Sequence, residues 1–191
     1  MSEEIMESLF LDAQKCSLCQ LCKERTNVVF GEGKADSQIM FIGEAPGKKE
    51  DLEGKPFVGD AGKNLNLLLE SIGLSKGDIY IANAIKCHPP NNRDPSKEEI
   101  AACAKWLDAQ IEIINPAIIV SLGRIALNRF FPGKKMLEAH GKAKKENGRI
   151  YFAMYHPAAI LYNRSLEETV RKDFKRLKLV LEKFNIGDKN G

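Results

Sequence analysis

Four short apolar runs punctuate the chain, each rich in β-branched or aromatic residues and separated from the next by an amphipathic stretch: residues 38–43 (QIMFIG), 78–83 (DIYIAN), 117–123 (AIIVSLG) and 149–155 (RIYFAMY). A strand that stays apolar at successive positions is covered on both faces, so these runs predict a parallel sheet between layers of helices, an α/β fold. The stretches between and after them predict helices over about 60–73, 96–114, 123–131 and 165–184. Asp94-Pro95-Ser96 with Glu98 and Glu99 behind it is a start signal: Ser96 suits the cap, and the acids suit the positive end of the helix dipole. In the last stretch Val170, Phe174, Leu177, Leu181 and Phe184 share one face, which predicts that face buried; Arg171, Lys172, Lys175, Arg176 and Lys178 form a solvated one.

With 191 residues the chain suits one domain, with a core over 10–180 and a frayed polar tail at 187–191. Such a domain buries roughly 70% of its unfolded surface and needs no disulfide staple. Lys and Arg number 29 against 26 Asp and Glu, a formal charge of +3, so nucleic-acid binding has to come from a local patch rather than a polycationic field. The opening MSEEIMESLF carries acids where a secretory signal carries bases, and no apolar run reaches the length of a spanning helix. The expectation is a soluble cytoplasmic protein without a membrane partner.

Three of the four runs are followed by chemically unusual loops: GEAPGKKED at 43–51, KCHPPNNRDP at 86–95 and HPAA at 156–159. In an open α/β sheet ligands bind beyond the carboxyl ends of the strands, so these loops should meet at one site. The first is not a nucleotide phosphate loop, because the spacing of its glycines and the residues after Lys48 are wrong; Gly31-Glu32-Gly33 precedes a strand and fails the dinucleotide pattern. What remains is a turn exposing backbone amides, with the carboxylates Glu44 and Glu50. Phe57, in a Gly-rich loop, is a candidate platform for a flat base. Asn83 offers an amide that complements a pyrimidine edge, and His156 a donor to an oxygen gaining negative charge. Singly, each has an ordinary explanation: a tight turn with solvated acids, a ring plugging the core, an amide bonded to its own backbone, a structural histidine. Their joint placement at strand ends makes them a candidate site.

The five cysteines are an odd count in a chain large enough to have a core, which argues against a secreted disulfide framework. Cys16 and Cys19 form C-x2-C, Cys22 repeats the spacing, and Cys87 and Cys103 lie far downstream. Two pairs brought together by the fold supply four thiolates, the requirement of either a structural zinc or a [4Fe–4S] cluster. Cys87 and Cys103 also suit plain burial as small hydrophobes.

Taken together, CSLC at 16–19, VVFGEG at 28–33, the GEAPG loop with its ED pair, GKPFVGDAG at 54–62, NAIKCHPPNNRDP at 83–95, Cys103 and HPAA at 156–159 resemble, in order, the iron-sulfur family 4 uracil-DNA glycosylases of bacteria and archaea. The resemblance implies a three-layer α/β/α fold around a central four-stranded parallel sheet, and hydrolysis of the N-glycosidic bond of uracil in DNA, which leaves an abasic site for base excision repair. It implies a structural [4Fe–4S] cluster on Cys16, Cys19, Cys87 and Cys103, with Cys22 free. Phe57 then stacks on the flipped base, Asn83 reads its edge, Glu50 abuts C5 to exclude thymine, and His156 stabilises charge at O2 with amides near Glu44 and Ala45. Ala45 stands where other families carry an Asp, so Glu44 or backbone carbonyls position the water. Leu161 or Tyr162 fills the gap in the DNA, and Arg164 and Arg93 meet phosphates. Lys142, Lys144 and Lys145 read more simply as a solvated charge run. Uracil-containing DNA, single- or double-stranded, is the implied partner of a monomer, and a sliding clamp is a candidate one. The rival readings are a sibling subfamily that crosslinks to the sugar and a non-catalytic iron-sulfur DNA-binding module.

Overall fold

A computed structural model describes residues 1–187. Helix α1 (Ser2–Gln14) precedes strand β1 (Ile39–Gly43); α2 (Lys48–Glu53) and α3 (Asp60–Glu70) lead to β2 (Tyr80–Asn83), and α4 (Lys97–Ile114) to β3 (Ile118–Leu122). Then come α5 (Arg124–Phe130), α6 (Met136–Ala139), the hairpin strands β4 (Ala143–Glu146) and β5 (Arg149–Met154), and finally α7 (Ala159–Tyr162) and α8 (Glu167–Lys183).

All four apolar runs are strands, and they pair in parallel in the order β2-β1-β3-β5. Successive residues of β1 face opposite ways, as a pleat requires. Met40 and Ile42 join the core shared with α1, α4 and α5, whereas Ile39 and Phe41 join the one shared with α3 and α8. Both layers are therefore apolar, and every residue of β1, β2 and β3 is buried.

The sheet corrects the expectation of four strands. A fifth, β4, pairs antiparallel with β5 at the edge and carries Lys144 and Lys145, the residues read as a solvated run. Its positions are mostly exposed, so no apolar period marks it, and charged side chains are what keep an open edge from pairing with another chain. Lys144 is engaged locally, 2.7 Å from Glu146 and over the rings of Phe131 and Tyr151.

The start signal of α4 is a reciprocal capping box: Glu99 N–H donates to Ser96 Oγ at 3.2 Å, and Ser96 N–H to the Glu99 carboxylate at 2.8 Å. On α8, Val170, Phe174, Leu177 and Leu181 are buried as the period demands, but Phe184 lies just past the helix and is 39% exposed. Gly187 N–H donates to Gln38 Oε1, and the rest of the tail expected to fray, 188–191, lies outside the described residues. No described helix is long and apolar enough to cross a membrane.

Candidate active site

The strand order turns at β1, with β2 on one side and β3 on the other, so the chain leaves the sheet in opposite directions after β1 and β3. A crevice opens there at the carboxyl ends. It holds a cavity of about 320 Å³ whose walls include Glu44, Ala45, Glu50, Phe57, Asn83 and His156, all six residues expected from the sequence to hold a base.

Gly43, the last residue of β1, lies behind two of these walls. A Cβ there would lie 2.3 Å from Asn83 Oδ1 and 2.8 Å from Phe57 Cζ, so glycine is what lets the two side chains meet. Asn83 ends β2 and is only 2% exposed, yet its Oδ1 is buried without a hydrogen-bond partner. An orphaned acceptor costs about 1–3 kcal/mol, and the sites that keep one are commonly functional.

Phe57 adopts a left-handed backbone, φ 54°, unusual for a bulky residue. The conformation is held from two sides. Lys76 Nζ donates to the Phe57 carbonyl at 2.9 Å, and Gly62 lies so close that a Cβ would fall 1.7 Å from that oxygen. The Phe57 ring faces that of His156, with centroids 5.5 Å apart and planes 24° from parallel.

His156 follows β5, and its Nδ1 accepts the Ala158 N–H at 3.1 Å. In the neutral ring the proton therefore sits on Nε2, which makes Nε2 a donor. Burial pulls the His156 pKa below its ordinary value, outweighing the opposing attraction of Glu44 and Glu50, so the ring is neutral at pH 7.

Both acids are tied into the fold. Glu44 Oε1 accepts the Ile125 N–H in the first turn of α5 at 3.0 Å, made possible by Gly123, where φ is 88° and a Cβ would stand 2.5 Å from the same oxygen. Glu50 Oε1 accepts the Gly59 N–H at 2.8 Å. A Cβ on Gly47 would lie 2.7 Å from the second Glu50 oxygen, so this carboxylate too sits in a glycine-built slot.

The rim differs from these walls. Tyr162 borders the cavity and is 90% exposed, while Leu161 is half exposed and Arg164 exposed, and neither of these two borders it. Arg93 borders it as well, but its guanidinium grips the Glu99 carboxylate through two bonds of 2.8 and 2.7 Å. The sequence reading missed that pairing, and it missed His88, whose Nδ1–H donates to the Pro46 carbonyl at 2.8 Å and braces the loop after β1 against the loop after β2. A histidine so placed has no spacing signature; only the fold brings residues 46 and 88 together.

A second, smaller void gathers all five cysteines with Arg25, Lys86 and Trp106. Three sulfurs receive N–H donors, each at 3.3 Å: Arg25 Nη1 to Cys87, the Lys86 amide to Cys103, and Trp106 Nε1 to Cys16. Cys22, expected outside the set, borders the same void. Burial pushes the Cys87 thiol up to about 11 and raises that of Cys103, so neither is a nucleophile at neutral pH. Among the described residues no three His, Cys, Asp or Glu side chains converge tightly enough to hold a single metal ion.

The residues around the cavity thus bring together an aromatic ring, an acceptor without a partner and an imidazole Nε2–H. Comparison with known proteins agrees in kind. A model of the Uracil DNA glycosylase superfamily matches residues 30–184. Among curated proteins, the type-4 uracil-DNA glycosylase of Saccharolobus solfataricus is 46% identical over 183 residues, 89% of this chain and 83% of that one. The protein of the same name from Thermotoga maritima is 45% identical, covering 95% of this chain and 97% of its own. That of Sulfurisphaera tokodaii is 44% identical over 91% of this chain and 83% of its own.

Proposed function

This chain belongs to the uracil DNA glycosylase superfamily, and from that premise we propose that it excises uracil from DNA as a type-4 enzyme, hydrolysing the N-glycosidic bond and leaving an abasic site for repair. The observation that carries the assignment of residues is the orphaned Asn83 Oδ1 on the cavity wall.

Uracil in a duplex is stacked and paired, so it must be extruded, at a cost of a few kcal/mol that is smaller for a mispaired or single-stranded base. Leu161 or Tyr162 fills the gap it leaves, and Arg164 and Arg93 lie towards phosphate, Arg93 also stiffening the mouth through Glu99. Phe57 stacks on the flipped ring. Asn83 Oδ1 accepts from N3–H and the amide donates to O4. Cytosine offers the reverse pattern on both atoms and leaves them unpaired. Glu50, fixed in its glycine slot, stands where a C5 methyl would go and excludes thymine.

As the glycosidic bond breaks, the base takes the electron pair and negative charge gathers at O2. His156 donates Nε2–H to that oxygen, a fixed-donor effect of about 3–4 kcal/mol, with the Ala45 amide assisting. Glu44, one oxygen of which is already committed to α5, positions the attacking water rather than acting as a strong base. The chain acts as one catalytic domain, its core over 10–180, and as a cytoplasmic monomer.

Cys16, Cys19, Cys87 and Cys103 are the ligands proposed for a [4Fe–4S] cluster. The set fits, because N–H donors to sulfur stabilise thiolates and separate irons need not share one point. When bound, the cluster supplies a structural cross-link between the N-terminal segment, the loop after β2 and α4, and no redox step.

Incubation with a uracil-containing oligonucleotide followed by alkali should cut the strand at uracil. Intact strands from folded, brown protein would overturn the reading. An adduct stable to denaturation would favour the crosslinking subfamily instead, although NNRDPS at 91–96 contains no basic insert of the kind that chemistry uses.

A further inference from the structure

Lys86 is 1% exposed, and its Nζ donates to two neutral acceptors: the Asn83 carbonyl at 3.0 Å and Gln110 Oε1 at 2.5 Å. Burying a primary amine is unfavourable even when its hydrogens are bonded, and a methionine of similar length would fill the same space. Packing alone does not explain a lysine here.

Its surroundings are hydrogen-bonded in turn. Gln110, fully buried on α4, donates through Nε2 to the Phe30 carbonyl at 3.0 Å and to Tyr80 Oη at 2.9 Å. About two helical turns earlier on α4, Cys103 Sγ accepts the Lys86 backbone N–H. The Lys86 carbonyl in turn accepts from Val29 N–H at 2.8 Å. Lys86 is thus clamped to α4 by its backbone and its side-chain tip, and from there it reaches the peptide that follows Asn83.

That peptide is held at both ends. Its carbonyl takes Lys86 Nζ, and its N–H, from Ala84, donates to the Gly43 carbonyl at 3.0 Å. Fixing this plane fixes ψ of Asn83, and with it the direction in which the side chain leaves the backbone. We propose that Lys86 is a positioning residue for base recognition: its buried Nζ locks the Asn83–Ala84 peptide and thereby aims the Asn83 amide at the flipped pyrimidine. The inference rests on the glycosylase reading. An amide misaimed by a fraction of an ångström binds the reacting base in the wrong geometry, and rate is sensitive to such errors.

The test is a double-mutant cycle in the full chain, purified brown. Lys86→Met should keep the visible absorption, while slowing single-turnover uracil excision and weakening inhibition by free uracil by about 10- to 100-fold, the size of one lost buried hydrogen bond whose acceptor is left unpaired. In an Asn83→Ala background the same change should have no further effect on the residual rate, because the group it aims is gone. Excision by Lys86→Met at the rate of the unaltered protein, or an equal slowing in the Asn83→Ala background, would overturn the proposal. Should Lys86→Met not fold, Gln110→Met leaves the Lys86 amine in place without its second anchor, and the same two outcomes decide. An unaltered protein that releases no uracil would instead overturn the glycosylase reading itself.

Discussion

Replacing Asn83 by leucine should make the protein more stable and nearly inactive at once. The two side chains have similar shape, and Leu places methyl groups where the amide oxygen and nitrogen stand, so the close contact with Gly43 survives. In the free protein the change removes a buried acceptor that has no partner. Leaving such a group unsatisfied costs about 1–3 kcal/mol, so the variant should gain about 1 kcal/mol after imperfect repacking, raising Tm by about 2–4 °C for a chain of this size. Bound uracil suffers the opposite. On the proposed reading it would lose two hydrogen bonds, with N3–H and O4 left unpaired by the protein; together this amounts to about 4 kcal/mol, or roughly a thousandfold in rate. Thermal unfolding followed by circular dichroism gives the first number, and single-turnover excision from a uracil-containing oligonucleotide the second. A lower Tm would show that Oδ1 is satisfied in the folded protein. Excision within tenfold of the parent would show that the amide does not read the base.

Five further substitutions probe the site and the cysteine cluster. His156 has a folded-state pKa below its ordinary value of 6.5, so the unfolded chain binds more protons in that window; stability should be full above about pH 6.5 and fall as pH drops below it, and His156→Gln should remove this slope in denaturant titrations taken across pH 5 to 7. Gly43→Ala puts a Cβ into both Asn83 and Phe57, and Gly62→Ala puts one into the Phe57 carbonyl; each should cost about 1–3 kcal/mol in urea unfolding and abolish excision, whereas wild-type behaviour would mean that the platform is free to shift. Cys22→Ser should keep the brown colour and Cys103→Ser should lose it in visible spectra, and a colourless Cys22→Ser protein would show the ligand set to be misassigned.

Much of the fold could be read from the chain because its strongest constraint is local. A strand buried on both faces has to be apolar at most successive positions, and 38–43, 78–83, 117–123 and 149–155 are, with polar residues at their ends and Ser121 within; their boundaries move by no more than two residues in the structure. The Ser96 cap was legible for the same reason, since the start signal lies within a few residues, and the structure adds the reciprocal bond from Glu99. Other elements were not, the short helices α2, α6 and α7 and, more tellingly, α1 and β4. Helix α1 buries Met6 and Ala13 while Ile5 and Leu11 stay about half exposed, so apolar residues ring the helix and no stripe stands out. Strand β4 is charged and exposed, and only hydrogen bonds to β5 make it a strand.

At the site, residue types and their place after strands were enough to nominate Glu44, Glu50, Phe57, Asn83 and His156, because chemistry is carried by side chains whose identity the chain states outright. How they work was decided by contacts between distant segments. The tautomer of His156 depends on an amide in the next loop, the orphaned oxygen of Asn83 on what the core fails to offer it, and the stance of Phe57 on Lys76 and Gly62. Arg93 turned from a free cation into the partner of Glu99, and Lys86 from an unremarked lysine into the brace behind Asn83. A sequence determines which groups are present and where secondary structure can bury them. Whether a given donor or acceptor is already satisfied is settled only when the chain has closed on itself, and that difference separates a residue that holds the fold from one left open for a substrate.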